Sequence, residues 1–173
     1  RPTEMASASA ISPTHLLDLV TRFSTEIGAM TDLGALSERI IQELCRVGGT
    51  THGALYLLDR EHEHFRRAGL VGLGAESCFP GTLPLTHTIP QHLSSSLQTV
   101  PGMAEPHNGC RAALDDALAA MSAGRNLPHV SRGRLIAFSL LGGTRTHEHD
   151  ATPIVSLLNA LAQTATNALD TSM

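Results

Sequence analysis

Residues 127–141 read Leu-Pro-His-Val-Ser-Arg-Gly-Arg-Leu-Ile-Ala-Phe-Ser-Leu-Leu, and the reading of this stretch decides the fold. Leu127, Pro128, His129 and Val130 make a short extended run. Ser131-Arg132-Gly133 is turn chemistry. The eight residues that follow, Arg134 to Leu141, are nearly continuous in apolar character, which is the pattern of a strand buried on both faces. Two strands joined by so short a turn must pair antiparallel, and Gly142-Gly143 ends the second.

A second hairpin reads upstream. Ala54-Leu55-Tyr56-Leu57-Leu58 is an apolar run, the polar Asp59-Arg60-Glu61-His62-Glu63-His64 turns the chain, and residues 65–73 return it. Residues 72–86 are rich in glycine and proline and predict irregular backbone, with Leu83 and Leu85 on a short edge strand. Beyond them the spacing predicts a short helix over 89–97, a loop over 100–109, and an Ala-rich helix over 111–123 that Gly124 closes.

Helices flank these strands. Ser12-Pro13 reads as an N-cap and a first helical residue. Leu16, Val20, Phe23 and Ile27 then recur on one face before Gly28. Asp32 caps a second helix carrying Leu36, Ile40, Leu44 and Val47 on one face, stopped by Gly48-Gly49. Pro153 opens a long last helix whose seam is Ile154, Leu158, Leu161, Ala165 and Ala168. The seams on the first and last helices suit a bundle between two copies of the chain, and the small alanines allow close approach.

Bulk properties narrow the function. The chain has 173 residues, 42% hydrophobic and 16% charged, enough for one packed domain over 13–171, with residues 1–12 read as a disordered terminus. It opens on Arg1 and reads as a fragment of a longer protein. All twelve basic residues are arginine, and they are scattered, so no basic stripe points to nucleic acid. Aromatic residues make up only 3%, with no Trp, which weakens any base-stacking platform. No apolar run approaches the roughly 20 residues of a membrane span, and no signal peptide is visible. Cys45, Cys78 and Cys110 are odd in number and lack CxxC spacing; they suggest neither a disulfide framework nor a zinc knuckle and fit a reducing cytoplasm.

The order of elements, with Asp32-Leu33, Leu36, Ile40 and Leu44, then Gly53-Ala54-Leu55-Tyr56-Leu57-Leu58-Asp59, the 127–137 hairpin and Leu157-Leu158-Asn159-Ala160-Leu161-Ala162-Gln163-Thr164-Ala165, resembles the GAF family of sensor domains. The resemblance covers about residues 14–170. It implies an α/β (α+β) fold: an antiparallel sheet with the N- and C-terminal helices on one face and short helices and loops on the other. It further implies a non-catalytic regulatory domain of a bacterial two-component protein, a sensor histidine kinase, that is cytoplasmic and homodimeric. Such a domain binds a small molecule between sheet and short helices and passes a signal to a C-terminal output domain.

For this chain the implied ligand region is residues 72–125 with the sheet beneath it. The candidate ligand residues are Tyr56, Leu85, His87, His92 and Met103, together with His107, Cys110, Met121 and Phe138. The candidate dimer and signal residues are the two helix seams. The family's Asn-Lys-Phe-Asp-Glu signature for cyclic nucleotides is absent, since the chain has no Lys. Neither Cys78-Phe79 nor Cys110-Arg111 matches the Cys-His of bilin attachment. Ordinary histidines account for His87, His92 and His107 more simply than haem ligation does, so no cofactor is named. His62 with His64 and His147 with His149 have a spacing zinc would accept, but polar turns explain them, and no metal is assigned. The free methionine-sulfoxide reductases of this family imply an alternative, a thiol enzyme using Cys78 and Cys110. The absent Trp and the 32-residue separation depart from that pattern. A second alternative is a ligand-free dimerisation spacer.

Overall fold

Asp32 sets the start of the helical layer. Its carboxylate accepts from the Ala35 backbone N–H at 2.7 Å, satisfying one of the free donors at the head of a helix. In a computed structural model, which describes residues 13–96, 108–121, 123–142 and 152–173, this helix is α2 (Leu33–Gly48), preceded by α1 (Pro13–Gly28). Gly49 closes α2 with φ 65°, a left-handed conformation that glycine adopts without strain.

Among the described residues five strands follow: β1 (His52–Asp59), β2 (His64–Val71), β3 (Thr82–Pro84), β4 (Ala123–Ser131) and β5 (Arg134–Gly142). They form one sheet in the order β3-β2-β1-β5-β4, with every neighbouring pair antiparallel. The β4–β5 turn falls on Arg132 and Gly133, both at positive φ (53° and 74°). This backbone twist matches that of the strands it joins. The further α-helices among the described residues are α3 (Thr88–Ser96), α4 (Asn108–Ala120) and the 21-residue α5 (Thr152–Ser172).

Strand alternation divides the apolar residues between two cores. Leu55 and Leu57 of β1, with Ala137 and Leu141 of β5, face α2 and α5, and Ile136 joins them at the bulge where the β4–β5 register slips. Ala54, Tyr56, Phe138 and Leu140 face the opposite way, toward Phe79, Ile89, Leu114 and Leu118 from the short-helix side. α2 covers β1 and β2, α5 covers β4, and α1 packs on α2 and α5. The terminal helices therefore share one face and the short helices take the other, as the resemblance implies.

Helix directions follow from side-chain pairs. Arg39 of α2 forks onto the Glu26 carboxylate of α1 at 2.7 and 3.0 Å, and its guanidinium lies over the Phe23 ring. Nearer the other end of α1, His15 and Leu19 line a groove with Glu43 and Arg46, so α1 and α2 are antiparallel. Leu33 shares a cleft with Asp170, whereas Gly48 faces Leu158, so α2 and α5 are antiparallel too. α1 and α5 consequently run parallel. Glu43, nearly buried, bridges Arg39 at 3.1 Å and Arg46. Burial pushes its carboxyl up, but the guanidiniums of Arg46 and Arg39 outweigh this and leave it below the ordinary carboxylate range.

Several expectations need correction. The Ala-rich helix ends at Ala120, and Ala123 and Gly124 belong to β4, where Ala123 pairs with Gly142. Ladder hydrogen bonds on β5 outweigh alanine's helix preference there. Asn108 and Gly109 are helical rather than loop. β2 stops at Val71, leaving Leu73 fully exposed between Gly72 and Gly74, both at positive φ. β3 ends at Pro84, opposite the first residue of β2, so Leu85 has no strand to pair with.

Sheet and helix backbones approach closely at Gly69. A Cβ there would lie 2.7 Å from the Ser37 carbonyl oxygen and 2.9 Å from its carbon, both backbone atoms that cannot swing away. Gly69→Ala is expected to destabilise the chain by about 1–3 kcal/mol in urea titration, the usual cost of overpacking. A loss below about 0.5 kcal/mol would mean that α2 rides loosely on β2.

Candidate functional site

Tyr56 and Phe138 stand side by side on β1 and β5 because their positions pair across the ladder. Their rings stack at 5.1 Å with an interplanar angle of 17°, and Phe65 meets Phe138 at 5.0 Å. All three are buried, and Met121 closes onto the same cluster from the end of α4. The Tyr56 hydroxyl donates to the Pro80 carbonyl at 2.6 Å, and burial pushes its phenol up. Arg67 holds the same loop through the Phe79 carbonyl, while its backbone N–H donates to the Gly81 carbonyl at 2.8 Å. The sheet face expected to hold a ligand is therefore lined by packed aromatics whose polar tip is already used.

The other predicted ligand residues are dispersed. His87 stands just before α3, where its Nδ1 accepts from the Ile89 N–H at 3.2 Å; it caps the helix, and burial holds its imidazole below the ordinary value. His92 is half-buried on α3. Leu85 is exposed on a groove of about 370 Å³ that also touches Leu58, Phe65, Pro90 and Arg134. Met103 and His107 lie outside the described residues, as do the side chain of Cys110 and the pair His147 and His149. Tyr56, Phe138 and Met121 thus come together, with Leu85 at the margin.

The seams of the terminal helices are used within the chain. Phe23, Ile27, Leu158, Leu161 and Ala165 are buried in its own core, and Leu16, Val20, Ile154 and Ala168 pack against that core in part. This corrects the expectation that they form the face between two copies: an amphipathic seam states that a helix face is covered, not by what. The outer faces instead carry Leu17, 68% exposed on α1, and Val155 on α5.

The residue that sequence reasoning missed is His129. It is completely buried on the inward face of β4. Its Nδ1 lies 2.9 Å from Thr166 Oγ1 and 3.2 Å from the Ala162 carbonyl, both on α5, and its Nε2 lies 2.8 Å from Ser139 Oγ on β5. Burial lowers its imidazole to about 4, against a smaller upward pull from the Ala162 carbonyl, so the ring is neutral at physiological pH. One side chain thereby joins two strands to the last helix. A signal for it exists in the sequence: Leu127 and His129 share a strand face, and Ser139 and Thr166 interrupt otherwise apolar runs.

His62 Nδ1 is engaged with Asp59 Oδ2 at 2.9 Å, and Asp59 also accepts from the Glu61 and His62 backbone N–H groups, which makes this cluster a hairpin turn. Among the described residues no group of three or more His, Cys, Asp or Glu is placed to hold a metal. Cys45 is buried, which pushes its thiol up, and Cys78 is a free, half-buried thiol. No helix among the described residues is long and apolar enough to cross a membrane.

No protein-family model and no curated protein matches the sequence. Solved structures do match. One is the GAF domain from an Acinetobacter phosphoenolpyruvate-protein phosphotransferase, at 15% identity and TM-score 0.65, covering 94% of this chain and 96% of that one. The free methionine-R-sulfoxide reductase from Neisseria meningitidis, solved with its substrate, matches at 15% identity and TM-score 0.57 over 94% of each chain. The chromophore-binding domain of a Stigmatella aurantiaca bacteriophytochrome matches at 17% identity and TM-score 0.64, over 93% of this chain and 62% of that one.

Proposed function

We propose, from the GAF fold that this chain has, that it is a regulatory sensor domain of a bacterial signalling protein, a sensor histidine kinase, that responds to a small molecule and passes the response out along α5. The observation that carries this reading is the seating of α5: a completely buried imidazole on β4 bonds both to α5 and to β5. A change in the sheet therefore reaches α5 through a rigid contact rather than a loop. The small molecule enters from the short-helix face, and it needs to prefer one setting of the sheet over another by only a few kcal/mol. Two copies pair through the outer faces of α1 and α5, where Leu17 and Val155 are exposed.

The packed ring pair Tyr56–Phe138 favours a second reading, a dimerisation spacer that holds no ligand. Native mass spectrometry of the purified chain separates the two. A retained small molecule, lost when the exposed Leu85 is changed to Trp to fill the groove it lines, supports the sensor. A ligand-free dimer at tens of micromolar by light scattering supports the spacer. A ligand-free monomer at that concentration sinks both.

A further inference from the structure

Two polar contacts between β4 and α5 are seen among the described residues. The first is His129. The Thr166 hydroxyl donates to the Ala162 carbonyl at 2.7 Å, which leaves its oxygen free to accept. The Nδ1–H of His129 therefore donates to Thr166 Oγ1, with the Ala162 carbonyl as a longer second acceptor, and Nε2 accepts from the Ser139 hydroxyl. This tautomer satisfies both ring nitrogens, as a fully buried imidazole requires. The second point is Ser131, two residues along the strand, whose hydroxyl donates to the Asp170 carboxylate at 2.6 Å.

The two points share one spacing. Thr166 and Asp170 are four residues apart on a helix, a rise of about 6 Å. His129 and Ser131 are two residues apart on a strand, a rise of about 6.6 Å. Strand and helix run in the same direction, so both contacts close together at one setting of the helix. Displaced by one turn, α5 would present to His129 the methyl of Ala162 in one direction, leaving the ring with a single carbonyl. In the other direction it would present the carboxylate of Asp170, which would have to be dehydrated while Ser131 lost its acceptor. Apolar packing opposes the same slide, because it would set Ala162 and Ala165 where Leu158 and Leu161 fill the core.

We propose that His129 and Ser131 form a two-point clasp that locks the register of α5 on β4, and that α5 moves along the sheet only after His129 lets go of Thr166. The lock follows from the geometry alone; that its release carries a signal rests on the regulatory reading above.

Amide hydrogen exchange on the 173-residue chain tests the lock without any ligand or partner, so its failure is separate from failure of the sensor reading. Thr166→Val keeps the side-chain shape and removes the hydroxyl. The amides of α5 between 158 and 169 are expected to exchange about tenfold faster, while those of the β1–β5 ladder stay within about twofold. Thr166→Ser, which restores the hydroxyl on a smaller side chain, is expected to restore protection. Combining Thr166→Val with Ser131→Ala is expected to give less than the product of the single effects, because two contacts that close in one register open together. Equal acceleration of α5 and the sheet, a serine variant that behaves like valine, or strictly multiplicative effects would each overturn the clasp.

Discussion

Phe138→Ala is expected to destabilise the chain by about 3–5 kcal/mol, the range for removing a buried aromatic side chain from a core that cannot collapse around the gap. Phe138 has no exposed surface, and its ring is flanked by Tyr56 at 5.1 Å and Phe65 at 5.0 Å. All three rings hang from paired strands, so relaxation would require the ladder itself to move. Phe138→Leu retains most of the apolar volume and forfeits the ring–ring geometry, worth about 0.5–1.5 kcal/mol. Urea denaturation of the three proteins measures both. A loss below about 1 kcal/mol for the alanine variant would show that the ring borders an open chamber, and the binding reading would gain at the expense of the spacer.

Acid should weaken the fold through His129. Its folded value is about 4, below the ordinary 6.5 that it regains on unfolding. Between those two values the unfolded chain binds a proton that the folded chain refuses. The contribution of the neutral ring is therefore complete above about pH 6.5 and is lost as pH falls toward 4, a change on the order of 3 kcal/mol. His87, also held low by burial, adds to the same slope. Glu26 and Glu43, whose values are lowered, lose their contributions only at more acid pH, below the ordinary carboxylate value of 4.5. The check is a series of urea midpoints from neutral pH down to about 4.5 for the wild type and for His129→Leu. The variant is expected to start less stable and to fall less steeply; parallel lines would remove His129 as the cause.

Much of the architecture can be read from local chemistry. Asp32 as a cap, the Arg132–Gly133 turn, the apolar run of β5 and the seam of α5 are each dictated within a few residues, and each stands where the spacing puts it. The failures have a common physical cause, which is dependence on a distant partner. Alanine and glycine at 123 and 124 become strand because Gly142 and Leu141 offer a ladder. Leu85 stays outside the sheet because β2 begins at His64. The seams of α1 and α5 are apolar for the sake of the chain's own core, and periodicity alone does not distinguish that core from a second copy. The candidate site was legible only where strand pairing brought its members together, as with Tyr56 and Phe138. His129 escaped notice because its partners lie 10, 33 and 37 residues away.

The parallel course of α1 and α5 has a mechanical meaning. Two helices that share a heading place the head of the first and the tail of the second at opposite poles of the domain. Polypeptide joined to those poles would pass through like an axle through a bearing, rather than leaving on the side it entered. A twist applied at the head of α1 would then cross the full thickness of the domain before emerging at the tail of α5, with Arg39 and His129 as the teeth that keep the shafts engaged.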